Sequence, residues 1–312
     1  MRNWLLFAVL TTALVCSFAM PAHARARVFV ASYGNDANPC TFGSPCKTFQ
    51  QAVNVVDAGG EVTAIDSAGF GPINITKPVT ITSPDGVEAG IVPTSGGDAI
   101  TINTTAAADI TLRGLTLLGG GVGNNGINLS STLPGGTSNG GTLNIVHCTV
   151  NDFTGSGIVI QPKQSGVGAS PFMNVVIADS WFLNNIVNGV KFAPQTIQLQ
   201  SAIYRTIVSG NGVGIDNDST QGPSNAFVVE SHVDGNANPG ITIPGLGTVA
   251  MKHSTAFNNS GFDVSNAGGD LVLIDQNTIG ALANNGGGSA TTDGTNNIFG
   301  LSGNPLIKQS PQ

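Results

Sequence analysis

One recurring pattern constrains this chain more than any other feature. From residue 110 onward the sequence repeats apolar-x-apolar, two residues, small-x-apolar, Asn, then Gly-apolar-x-apolar. The clearest copy is Val175-x-Ile177, Ser180-x-Phe182, Asn185, Gly189-Val190-x-Phe192. Others are Leu143-x-Ile145, Cys148-x-Val150, Gly157-Ile158-x-Ile160, and Ile203, Thr206-x-Val208, Asn211, Gly214-Ile215. Two more follow: Val228, Ser231-x-Val233, Asn236, Gly240-Ile241-x-Ile243, and Val249-x-Met251, Ser254-x-Ala256, Asn259, Gly261-Phe262-x-Val264. Each segment alternates with period two and is too short for a helix, so each copy holds three short strands. Strands grouped in this way make the coils of a β-solenoid, stacked at roughly 4.8 Å per rung. The small inward residue falls at Leu115, Cys148, Ser180, Thr206, Ser231, Ser254 and Gln276, with separations of 33, 32, 26, 25, 23 and 22. The spacing inside the coil is constant, so the extra residues lie between one third strand and the next first strand. They form loops at 130–142, 161–174, 193–200 and 218–225, rich in Gly, Pro, Ser and Gln.

Composition agrees and sets limits on function. Only 9% of the 312 residues are charged, 43 are Gly, and 40% are hydrophobic, which suits many short strands around a sizeable core. A net charge of −7 argues against nucleic acid, whose phosphates need clustered Lys and Arg. No basic amphipathic segment points to a membrane surface. The first residues read as a secretory signal peptide, 1–24: Arg2, a mostly apolar run from Leu5 to Ala19, then Ala22-His23-Ala24 as the cleavage site. Cys16 follows Val15 where a lipoprotein needs a small residue. A secreted or periplasmic location follows, and in an oxidising compartment Cys40 and Cys46 are expected to pair.

The Asn positions and the three-strand coil resemble the right-handed parallel β-helix superfamily, the pectin-lyase-like fold. In that family an Asn ladder fills the turn between second and third strands. Asn185, Asn211, Asn236 and Asn259 match it, and Phe153 departs from it. The opening also resembles secreted bacterial β-helix proteins, through Val28-Phe29-Val30, Gly34-Asn35-Asp36, Asn38-Pro39, Pro45 and Lys47 to Ala52. Residues 46–57 put Phe49, Ala52, Val53 and Val56 on one face, so a short amphipathic helix is expected to cap the solenoid. Gly34-Asn35-Asp36 reads as a turn held by Asx side chains rather than a calcium loop. The expected layout is an N-terminal strand and capping helix over 25–60, an all-β right-handed parallel β-helix over 61–288, and an irregular tail over 289–312.

Aligning the coils exposes one candidate site. The residue before each small inward position reads Gly114, His147, Asp179, Arg205, Glu230, His253 and Asp275 down the stack. The neighbouring column reads Arg113, Val146, Ala178, Tyr204, Val229, Lys252 and Ile274. Rung spacing places successive charges about 5 Å apart, within range to shift pKa values and share acid–base work. In the polysaccharide lyases and hydrolases of this superfamily the substrate groove follows the first strand and its turn, which the resemblance implies for this column. His147, Asp179, Arg205 and Glu230 are then the catalytic candidates, with Tyr204, Lys252, His253, Asp275 and Trp181 as ligand-binding ones. The alternating signs equally describe self-compensating surface ion pairs. The Asn-Thr-Asp, Asp-Asp, Gly-His-Gly and Arg-Ile-Lys motifs of the pectin hydrolases are missing; Asp216-Asn217-Asp218 is no substitute. The acids are spread too widely for a calcium cage, so no metal or cofactor is expected. Cys148, in the inward column, reads as an inert buried thiol. The reading that follows is an exported β-helix that binds carbohydrate or mediates surface contact. A polysaccharide lyase or glycoside hydrolase acting on an acidic polysaccharide is the alternative, and a purely adhesive solenoid is a third.

Overall fold

The computed structural model describes residues 26–309; the signal-peptide segment lies outside them. Within these residues the chain winds into a right-handed parallel β-helix of three-strand coils. The first strands stack into one twelve-stranded parallel sheet running from Arg27–Val30 to Ile307–Lys308. The second and third strands stack along the remaining faces, each pairing in parallel with its counterpart one coil away. Register follows the apolar alternation. Ile177, Ile203, Val228, Met251 and Leu273 are mutual neighbours on successive rungs, and all are buried. Each such aliphatic side chain contributes about 1.5–3 kcal/mol of burial, and a one-residue slip would turn the whole file outward.

Two polar ladders run inside this core. Asn185 donates through Nδ2 to Asn211 Oδ1 at 2.9 Å, Asn211 to Asn236 at 3.1 Å, and Asn236 to Asn259 at 2.7 Å. Each Oδ1 also accepts the backbone N–H of the previous Asn, so a buried turn leaves no donor orphaned. Phe153 starts the ladder: its ring fills the position, and its N–H donates to Asn185 Oδ1. Asp263 ends it, accepting from the N–H and Nδ2 of Asn259. The small inward residues make a second ladder. Ser180, Thr206, Ser231 and Ser254 each accept the N–H of the preceding coil's small residue and donate to a carbonyl of their own coil.

The N-terminal helix, α1, spans Phe49–Val55 and is capped by Thr48, whose side chain accepts from Gln51 N–H. It is shorter than 46–57 because Cys46 bridges to Val30 in strand geometry and Val56 is extended. Phe49, Ala52, Val53 and Val56 are buried, and the Phe49 ring lies 4.9 Å from that of Phe70. Cys40 and Cys46 form the expected disulfide. Asp36 accepts from Lys47 N–H, Thr48 N–H and Thr48 Oγ1, which is how the Gly34-Asn35-Asp36 turn is held.

Four sequence expectations need correction. Residues after 288 continue the solenoid: Ala290–Thr292, Asn297–Gly303 and Ile307–Lys308 all pair in parallel, because backbone pairing persists where the apolar rhythm has faded. The loops are partly regular, since Thr132–Pro134 pairs with Lys163–Ser165 and stacked loops share the rung spacing. Gln276 is exposed; the last turn holds one extra residue, and Asn277 takes the inward place, accepting Ser254 N–H at 3.0 Å. Phe262 is also exposed, and Val264, not Phe262, is the partner of Ile241.

Candidate functional site

The charged column is a contiguous file. The N–H of His147 donates to Ala178 O, that of Asp179 to Tyr204 O, Arg205 to Val229 O, Glu230 to Lys252 O, and His253 to Asp275 O. Every member from His147 to Asp275 has a positive φ, between 44° and 55°. This left-handed conformation lets the chain bend sharply from first to second strand. It also explains part of the composition: Gly, Asp and His tolerate the region, whereas Arg and Glu are less suited to it. At the top of the file Gly114 is required for another reason, because a Cβ there would lie 2.5 Å from Ser83 O.

Within the file the charges engage one another. Arg205 grips Asp179 in a fork, Nε to Oδ1 and Nη2 to Oδ2, both at 2.7 Å. That hydrogen bonding holds the Asp179 carboxyl below its ordinary range and raises Arg205 further. His253 Nε2 lies 3.0 Å from Asp275 Oδ2, with Lys252 Nζ at 3.8 Å from the same oxygen. Glu230 sits on the other side of Arg205, adding to its Coulombic field, and has no ion-pair partner among the described residues. Exposed His147 adds a weak field at Asp179.

Trp181 is 51% exposed, but on the second-strand face between Thr149 and Ile207, around the bend from the first-strand sheet. Tyr204 is half-buried, one residue from the file on the outer face of the first-strand sheet. Cys148 is buried, and desolvation pushes its thiol up to about 11, which removes it as a nucleophile. Asn217 ends its strand: its amide donates to Ser224 O and Thr248 O. Asp216 and Asp218 flank Lys191 at 2.8 and 3.1 Å.

Outside the file lies a feature that the repeat does not announce. On the outer face of the first-strand sheet, successive rungs carry Val176, Ala202, Phe227, Ala250 and Val272. The two alanines leave both sides of the Phe227 ring uncovered, and the residue is 39% exposed. Adjoining hollows of about 340 and 310 Å³ lie on either side of it. A second column on this face, Asn174, Gln200, Asn225 and Thr248, lines the hollows with amides and a hydroxyl. The one sequence signal for this trough was Ala-Phe-Ala at matching positions of three coils.

Fold and geometry therefore define a right-handed parallel β-helix with an aromatic trough on its first-strand face. Its structure is similar to the pectate lyase Pel9A (TM-score 0.61, 15% identity, covering 90% of this chain and 77% of that one). It is also similar to an alginate lyase from Paenibacillus sp. (TM-score 0.60, 14% identity, 90% and 99% covered). No family model and no curated protein matches the chain by sequence. No helix among the described residues is long and apolar enough to cross a membrane.

Proposed function

We propose that this protein is an exported carbohydrate-binding β-helix, and that it holds an extended glycan along the trough. The carrying observation is the Phe227 ring, open on both sides and bordered by Asn174, Gln200, Asn225 and Thr248. A sugar ring offers an apolar C–H face to an aromatic and a rim of hydroxyls to amides, which donate and accept together. The signal peptide expected over residues 1–24 and the Cys40–Cys46 disulfide support export. The similarity in fold to a pectate lyase and an alginate lyase supports a carbohydrate ligand. Binding is favoured over catalysis because the Arg205 fork is occupied by Asp179 and His253 rests on Asp275. Affinity electrophoresis of the mature protein through gels containing neutral and uronic-acid polymers tests the proposal. Retardation by at least one polymer is expected, with Phe227→Ala weakening it about 10- to 30-fold, the loss typical of removing a central aromatic anchor. Unretarded migration in every gel would overturn it.

One observation favours a second reading, a lyase or hydrolase acting on an acidic polysaccharide: Glu230 beside Arg205 is a carboxylate without an ion-pair partner among the described residues. Under that reading, incubation with polygalacturonate or alginate yields unsaturated products absorbing in the ultraviolet, or new reducing ends. Glu230→Gln abolishes either signal. Turnover that survives in Glu230→Gln would remove this residue from the chemistry.

A further inference from the structure

A different polar pit lies at the root of the loops that follow the third strands, around the loop ridge from the trough. Register explains it. The residue after the third strand is Gln161, Ala193 and Asp218 on three successive rungs, since Ile160 pairs with Phe192 and Phe192 with Asn217. Ala193 is thus an apolar methyl between two larger polar side chains, and the missing bulk leaves a hollow of about 200 Å³ with Ala193 and Pro194 in its lining. Lys191, Gln195, Asp218, Thr220 and Gln221 complete the walls.

The wall groups are ordered and incompletely used. Lys191 Nζ donates to Asp216 Oδ2 and Asp218 Oδ2, which leaves its third hydrogen free among the described residues. Asp218 is held in turn by Thr220, whose N–H and Oγ1 both donate to its Oδ1. Gln161 donates to Asn128 and keeps its own oxygen available, and the Gln195 amide makes no side-chain hydrogen bond among the described residues. One ammonium set against two carboxylates gives the pit a local charge of −1, which disfavours anions. Its volume is below the roughly 300–1,000 Å³ of pockets for drug-sized ligands, so it suits one ring and not a chain segment.

We infer that this pit is a second binding site, specific for a single neutral or amino sugar unit such as a chain end or branch. The C–H face of the sugar rests on Ala193 and Pro194. Its hydroxyls take the free hydrogen of Lys191 and the amides of Gln161 and Gln195. Occupation does not depend on the trough, so the two readings stand or fall separately.

The test is ligand-observed saturation-transfer NMR on the full mature protein, with glucose, galactose, mannose, glucosamine and glucuronate as probes. Ala193→Leu fills the hollow from an outward position that carries no core packing, and circular dichroism confirms its fold. The expected result is a saturable signal from at least one neutral or amino sugar, reduced at least tenfold by Ala193→Leu and unchanged by Phe227→Ala. Absence of signal for every neutral and amino sugar, or an equal signal in Ala193→Leu, overturns the site. Glucuronate binding as tightly as glucose overturns its assigned specificity. A signal lost only in Phe227→Ala would also overturn the site, because it places sugar binding in the trough.

Discussion

The inward ladders and the outward charged file follow the same construction rule with opposite results. Each stacks one polar residue per coil at rung spacing, and the hydroxyl ladder and the file hold adjacent positions of one turn: Asp179 beside Ser180, Arg205 beside Thr206, Glu230 beside Ser231. Inside, each group is removed from water, so every hydrogen bond is obligatory and the same small residue types recur. Outside, water screens each charge, so neighbours pair or, like Glu230 among the described residues, hold no ion pair, and only the left-handed backbone limits the residue types. A stack of ionisable groups therefore carries less information than a stack of buried amides. That is why the site proposed here rests on Phe227 and its small neighbours and not on the file.

The comparison breaks most sharply at Asn211. Replacing it with Ala removes the acceptor for both Asn185 N–H and Asn185 Nδ2, and the donor to Phe182 O. An orphaned Asn185 N–H and one unpaired Nδ2 hydrogen (Nδ2 keeps Val150 O), together with a small cavity, should destabilise the protein by about 2–5 kcal/mol. Because coils contact only their neighbours, the damage should be local. Amide exchange is expected to accelerate in the coils around residues 182–236 and to change little near α1. Uniform exchange across the chain would show instead that the solenoid unfolds as one unit.

A smaller loss is expected one position from the charged file. Ser231→Ala strips the acceptor from Thr206 N–H while leaving the aliphatic packing intact. One orphaned buried donor should destabilise by about 1–3 kcal/mol, read as a lower midpoint in urea with unchanged slope. The adjacent Glu230→Gln should leave that midpoint nearly where it was, since Glu230 holds no ion pair among the described residues. If the two variants are equally stable, the hydroxyl ladder does not carry the stability assigned to it.

Cys148 sharpens the same contrast chemically. Its thiol is buried, donates to the carbonyls of Leu112 and Val146, and is pushed up to about 11, so folded protein should resist iodoacetamide at pH 8. Alkylation at the rate of a free thiol would mean that this rung opens readily in the native state.

The architecture was legible because burial imposes periodicity. Ile177, Asn211 and Ser231 must recur in register or the core fails, and the repeat shows them directly. The file from His147 to Asp275 was legible for the same reason, as the position next to an inward residue. What the file does was not, because the fork between Arg205 and Asp179 depends on side-chain reach and not on spacing. Phe227 is not legible in the repeat because an outward aromatic becomes a platform only when its neighbours are small, which requires the cross-strand partners Ala202 and Ala250. The strands of the tail are not legible because Asn297–Gly303 pairs through its backbone with little apolar patterning to betray it.

The smallest expected effect lies in the file itself. Asp179 is held below its ordinary value of 3.8 by Arg205, so its folded form favours the ionised carboxylate. A depressed carboxyl contributes stability above the unfolded value, and that contribution disappears as pH falls through the folded one. The melting temperature of wild type should exceed that of Asp179→Asn by a small margin that is constant from neutrality down to about pH 5 and shrinks below pH 3.8. High salt should shrink it as well, because the pair is exposed. A margin that instead changed between pH 5 and neutrality would show that Asp179 is coupled to a further titrating group of the file. The file would then act as a coupled unit, and the contrast with the inward ladders would be weaker than the geometry implies.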